Sequence, residues 1–234
     1  MTPEPRPDQR VGEIVAHDFR AASVFTRHGI DFCCGGRQTL AEACATTRSD
    51  IGEVIRELEL TTTRPADDID VTNWSAAELI DWIVNRHHRY VRAEIPAIAA
   101  LLDRTVARHG AAHPELAEIR ARFSVVADDL TRHLAKEERI LFPAIARLDA
   151  SPRGTPPAGF DIEQPLAAMH AEHEEAGLQL RHIRALANGY VAPPDACRTW
   201  QTAYAQLEAF EADLHRHVHL ENEVLFPLAR RLVD

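Results

Sequence analysis

His133-Leu-Ala-Lys-Glu137-Glu-Arg-Ile-Leu-Phe-Pro143 returns 84 residues further on as His217-Val-His-Leu-Glu221-Asn-Glu-Val-Leu-Phe-Pro227. Each copy carries an imidazole and a carboxylate at i and i+4, so both project from one face of a helix about one turn apart. If that face points inward, the spacing is that of a metal-ligand pair. Apolar periodicity decides the direction. Leu116, Ile119, Phe123, Val126, Leu130, His133, Glu137, Ile140 and Ala144 follow alternating steps of three and four, and so do Leu207, Phe210, Leu214, His217, Glu221, Val224 and Leu228. Both His–Glu pairs therefore fall on core-facing stripes.

A carboxylate buried without a charge partner costs several kcal/mol. No Lys or Arg shares either stripe, so a cation is the remaining partner. Two other stripes supply imidazoles: Ile80, Val84, His88, Val91, Ile95 and Leu166, Met169, His173, Leu180, Ile183. His88 is preferred to His87 because it keeps phase, and because it precedes His133 by 45 residues, close to the 44 between His173 and His217. Four His (His88, His133, His173, His217) and two Glu (Glu137, Glu221) can hold two metal ions with the carboxylates bridging. Imidazole and carboxylate without thiolate suit non-haem iron ahead of manganese or zinc. Six protein donors leave room for solvent, an oxo bridge or a diatomic ligand.

The rest of the chain reads as helices around these stripes. Residues 1–10 are Pro-rich and charged, an expected disordered tail. Residues 11–60 form a small helical N-terminal domain, with Gly29 placed to stop its first helical pattern, a Cys-Cys-Gly-Gly turn, and capping boxes at Thr39–Glu42 and Asp50–Glu53. Residues 61–73 are polar and aperiodic, an expected linker. Residues 74–234 hold four long helical patterns, opening on the capping box Ser75–Glu78, with a kink expected at Pro96 and a loop over 149–159. The expected fold is all-α: an up-down four-helix bundle preceded by the small helical domain.

Composition narrows the function. A formal charge of −10 with no Lys/Arg run argues against nucleic acid. No apolar run reaches bilayer-spanning length and the N-terminus lacks a signal-peptide core, so neither membrane nor export is expected. Four cysteines, two adjacent, do not make a secreted disulfide framework, which points to the cytoplasm. Thirteen histidines against 6% aromatic residues point to metal or proton chemistry.

The repeated His-x-x-x-Glu followed by Leu-Phe-Pro resembles the hemerythrin-like fold. Together with Asp31-Phe-Cys-Cys-Gly-Gly36 in a short N-terminal domain, the chain from about Val11 to Leu232 resembles the repair-of-iron-centres family. That resemblance implies a carboxylate-bridged di-iron centre of two iron ions, with His88, His133, His173 and His217 as terminal ligands and Glu137 and Glu221 as bridges. It implies repair of iron–sulfur proteins damaged by nitric oxide or peroxide, through iron delivery or nitric oxide reduction at the centre. Oxygen-carrying hemerythrins use a further His, for which no position is in phase here. A hemerythrin-like O2, NO or iron sensor or store, and a di-iron peroxidase or oxidase, are the alternative readings. The sequence leaves open whether two chains pair as a homodimer through the N-terminal domain.

Asp129 and Asp213, one turn before the two repeated histidines, and Glu172, beside His173, are candidates to accept a hydrogen bond from a ligating imidazole; a solvent-facing place is the competing reading. His17, His28, His87, His109, His113, His170, His182, His215 and His219 read as surface residues, and Glu138 and Glu223 as solvated carboxylates. Cys33 and Cys34 are too close in sequence for an unstrained bridge. They read either as a buried turn or as redox-active thiols that bind or pass on iron, accept nitric oxide or join an intermolecular disulfide, and the resemblance favours function. Cys44 and Cys197 read as core thiols.

Overall fold

A computed structural model describes residues 5–62, 71, 73–150 and 161–233. The first part of the expected tail, most of the linker and most of the 149–159 loop lie outside the described residues. The chain is all-α, a helical bundle with a small helical N-terminal part. In order, it forms α1 (Val11–His17), α2 (Ala21–Arg27), α3 (Leu40–Thr47), α4 (Ile51–Thr62), α5 (Ala76–Trp82), α6 (Arg89–His109), α7 (Glu115–Lys136), α8 (Phe142–Asp149), α9 (Glu163–Leu186), α10 (Arg198–His219) and α11 (Phe226–Arg231). Among the described residues, three π-helical turns interrupt it, at Ile83–His88, Glu137–Leu141 and Leu220–Leu225. No strand occurs among the described residues; Arg10 and Thr39 make one isolated bridge.

Local signals in the sequence set several helix ends. Gly29 takes a left-handed φ of 66° after α2. Thr39 and Glu42 cap α3 reciprocally, and Ser75 and Glu78 do the same ahead of α5. The α-helix continues through Pro96, which lies inside α6.

The chain divides into two compact units. The first comprises Met1–Leu79, Leu148–Pro157 and Arg216–Asp234; the second comprises Ile80–Arg147 and Ala158–His215. In the first, α1 packs on the π turn Leu220–Leu225, and α2 on α4. In the second, α7 packs against both α6 and α9, and Phe123 meets Phe210 edge-on with centroids 5.6 Å apart.

The π turns shift the apolar phase by one residue. Before His88 the buried positions are Leu79 and Ile83, not Ile80 and Val84; after Glu137 they are Leu141 and Ile145, not Ile140 and Ala144; after Glu221 they are Leu225 and Ala229, not Val224 and Leu228. An i→i+5 turn inserts one extra residue, so a strict 3.6-residue count fails on crossing it. In α9, which has no such turn, Leu166, Met169, His173, Leu180 and Ile183 are all buried, as the periodicity requires.

Candidate metal centre

The second unit brings His88, His133, Glu137 and His173 together. His88 ends the first π turn, His133 lies in the last turn of α7, Glu137 opens the second π turn, and His173 sits mid-α9. All four are at most 3% exposed. His133 Nε2 is 3.2 Å from Glu137 Oε1 and 3.0 Å from His173 Nε2, while His88 Nε2 is 3.4 Å from Glu137 Oε2. The two oxygens of Glu137 thus face different imidazoles.

Hydrogen bonds at the other ring nitrogens fix the tautomers. His88 Nδ1 donates to Glu138 Oε1 at 2.7 Å, and His133 Nδ1 donates to Glu172 Oε2 at 2.9 Å. With the proton on Nδ1, each Nε2 presents a lone pair toward the carboxylate of Glu137. Lone pairs facing carboxylate oxygens repel, and a cation between them converts the repulsion into ligation. Donors about 2.1 Å from a common ion lie about 3.0 Å apart on an octahedral edge and about 3.4 Å apart on a tetrahedral one. The observed separations fall in that interval, so the residues fit a metal.

The outer carboxylates are poised for this role. Burial opposes the charged form of Glu138, but hydrogen bonds from His88 and from Arg92 Nη2, 2.7 Å away, outweigh it and hold its carboxyl below the usual range. Burial likewise opposes ionisation of Glu172, and Lys136 followed by His133 reverses the effect. The His88 ring stacks on Phe142 at 5.6 Å, an apolar wall on one side.

The first unit carries the other His–Glu pair: His217 Nε2 and Glu221 Oε1 are 3.0 Å apart, both fully buried. Around it, the last π turn is joined to the cysteine loop. Asn222 Nδ2 donates to the carbonyl of Cys33 at 2.9 Å, and the Glu223 carboxylate lies against Gly12 and Gly36 so closely that a Cβ on either would fall within 2.6 Å of it. The His219 ring packs against Phe19 and Phe32, with both centroids at 6.1 Å.

Residues 83–229 match the hemerythrin HHE cation binding domain, and residues 7–61 match a domain of unknown function, DUF542. The iron-sulfur cluster repair protein YtfE of Dickeya chrysanthemi (strain Ech1591) is 36% identical over 224 residues, covering 96% of this chain and 97% of the relative. Proteins of the same name from Yersinia pestis (34% over 224 residues) and Pectobacterium atrosepticum (33% over 232 residues) cover the same shares. The chain belongs to the repair-of-iron-centres family. Its hemerythrin domain is a cation-binding one, in keeping with the donor set above.

The remaining candidate residues of this family member take varied places. Glu172 accepts from His133 as described. Asp129 is paired with Arg132, and the Nδ1 of His133 faces Glu172 instead. Asp213 Oδ1 lies 3.0 Å from Nδ1 of His87, which is buried rather than on the surface because the first π turn aims two consecutive residues inward. Glu138 and Glu223 are not the solvated carboxylates their phase implies, and His219 is buried. Burial raises the Glu223 pKa above the carboxylate range, against the charges of Arg37 and Arg10. Cys33 and Cys34 are free thiols, Cys33 buried and Cys34 partly exposed. The Cys33 pKa is pushed up by its hydrogen bond with Cys34, by burial and by the charges of Cys34 and Asp31. Cys44 is a core thiol. Cys197 is not: it is partly exposed just before α10, where the backbone N–H of Trp200 and the side chain of His109 bring its pKa down to about 7.

Proposed function

We propose that this chain is a cytoplasmic di-iron protein that repairs iron–sulfur clusters damaged by nitrosative or oxidative stress. The observation that carries the reading is the division of Glu137, one oxygen toward His88 and the other toward His133, as a bridging carboxylate between two ions requires. His217 and Glu221 complete the ligand set. Their support is the 84-residue repeat, their 3.0 Å separation, and a hemerythrin match over residues 83–229, which includes both.

Bound iron would supply reducing equivalents for nitric oxide or peroxide, and iron itself as cargo for a damaged cluster. The chain's own residues do the rest. Glu138 and Glu172 keep the proton on Nδ1 of His88 and His133, so that Nε2 stays available. Full burial of Glu137 and stacking of Phe142 on His88 keep bulk water from the donors. Six protein donors shared between two ions would leave positions for a diatomic ligand.

The test is iron content and the optical spectrum of protein purified with iron available, followed by addition to an extract whose aconitase has been inactivated with nitric oxide. Two irons per chain, lost in Glu137→Ala and Glu221→Ala, and recovery of aconitase are the expected results. Well under one iron per chain, or unchanged iron in both variants, refutes the centre. Anaerobic nitric oxide added to the reduced protein separates the two routes. Catalytic release of nitrous oxide marks reduction, and transfer of labelled iron to the recovering aconitase marks delivery.

A further inference from the structure

We propose that Asp31, Cys33 and Cys34 form a second metal site, an open mononuclear one that holds a single thiophilic divalent cation between two thiolates and a carboxylate. The three ligand atoms lie within 4.8 Å of one another. Cys33 Sγ is 3.8 Å from Cys34 Sγ and 3.4 Å from Asp31 Oδ1. Two thiolates bound at about 2.3 Å to one tetrahedral ion sit about 3.8 Å apart, and a thiolate and a carboxylate oxygen on the same ion about 3.5 Å apart. The thiols therefore already stand at ligand separations, while a disulfide would need sulfurs about 2.05 Å apart.

The loop is built to keep them there. Asp31 Oδ1 accepts the backbone N–H of Cys33 at 3.1 Å and of Cys34 at 2.9 Å. A Cβ on Gly35 would fall 2.8 Å from the carbonyl of Asp31, and one on Gly36 would fall 2.8 Å from that of Phe32. The two glycines after the cysteines let the chain fold back this tightly. From the other side, Asn222 holds the Cys33 carbonyl.

Cys33 is buried, Cys34 partly exposed and Asp31 exposed, so one side of the site opens to solution. The fourth tetrahedral position is left to water or to a donor on another protein. Thiolate donors select Fe2+, Zn2+ or Cd2+ over Mg2+ and Ca2+. On binding, the two thiol protons leave to solvent and the cation takes their place. This donor set differs in kind from the imidazole–carboxylate set and does not depend on it. Only its use as a handover point for cargo iron rests on the repair reading.

Co2+ titrated into the full-length, iron-loaded protein under anaerobic reducing conditions tests the proposal, read by thiolate-to-metal charge-transfer absorption. Cobalt on imidazoles and carboxylates gives no such band, so failure of the di-iron reading does not disturb the result. The band should saturate at one equivalent and vanish in Cys33→Ser and Cys34→Ser. Asp31→Asn, which keeps an oxygen for the backbone N–H groups, should keep the band but weaken binding at least tenfold. Helical circular dichroism and the two irons of the imidazole–carboxylate centre should match the parent in all three variants. Absence of the band at excess Co2+, its survival in Cys34→Ser, or unchanged affinity in Asp31→Asn overturns the three-donor site.

Discussion

The side-chain amide of Asn222 donates to the backbone carbonyl of Cys33 at 2.9 Å, across 189 residues of sequence. Asn222 directly follows Glu221, so one buried hydrogen bond joins the thiol loop to the π turn that carries Glu221, a proposed ligand. Asn222→Ala leaves that carbonyl buried and unsatisfied, at a cost of about 1–3 kcal/mol. The denaturant midpoint should fall with an unchanged slope, and alkylation of Cys33 should quicken as the loop loosens. Equal alkylation rates in variant and parent would show that the bond does not restrain the loop.

Glu138 and Glu172 each hold the Nδ1 proton of a proposed ligand histidine, His88 and His133, and are themselves held by a cation, Arg92 and Lys136 respectively. Removing such a partner lowers metal affinity by about 10–100-fold. Glu138→Ala and Glu172→Ala should each show that loss in competition with a chelator. Glu174→Ala, at an exposed position next to His173, should not. Equal losses in all three would mean that the effect is one of general charge.

Metal removal should destabilise the fold, because Glu137 is fully buried with imidazole lone pairs facing its carboxylate. A ligand present at about 1,000 times its dissociation constant adds about 4 kcal/mol to the folded state. Glu137→Gln removes the buried charge. It should therefore melt above the parent when both are metal-free, and gain much less on addition of Fe2+. A variant that melts below the metal-free parent would contradict the account of repulsion between the carboxylate and the imidazole lone pairs.

Apolar periodicity placed the four seam histidines and two glutamates in the core, where they are buried, but misplaced the residues that follow them. His173 and its neighbours on α9 were legible because that helix keeps an α pitch throughout. His88, Glu137 and Glu221 all lie within or at the edge of π turns, and beyond each turn the buried face moves by one residue. For the same reason Glu138 reads as solvated although it reaches His88, and His87 reads as exposed although it is buried. The pairing of Asn222 with Cys33 had no local signal at all, since it joins positions at opposite ends of the sequence. The phase shift can be tested directly. Ile140, in phase by α pitch, is 64% exposed, and Ile145, out of phase, is fully buried. Ile140→Ala should change stability by about 0.5 kcal/mol or less, whereas Ile145→Ala should cost about 2–5 kcal/mol. The reverse order would restore the uninterrupted helix.

His219 gives the fold a pH dependence of defined sign. Burial pushes its pKa down to about 4; the backbone of Phe32 works weakly the other way, and the charge of Arg216 adds to the lowering. In the unfolded chain the imidazole titrates near 6.5. Between those values the unfolded state binds the extra proton, so unfolding free energy rises with pH. The stabilisation is fully present above about 6.5 and is lost as pH falls toward 4, by up to about 3 kcal/mol. His219→Phe keeps a ring among Phe19 and Phe32 but cannot take up a proton. Measured on metal-free protein, where the other histidines contribute equally to both chains, its stability should fall less steeply than the parent's over this interval. Parallel profiles would place the His219 pKa near its solution value and reject the burial account.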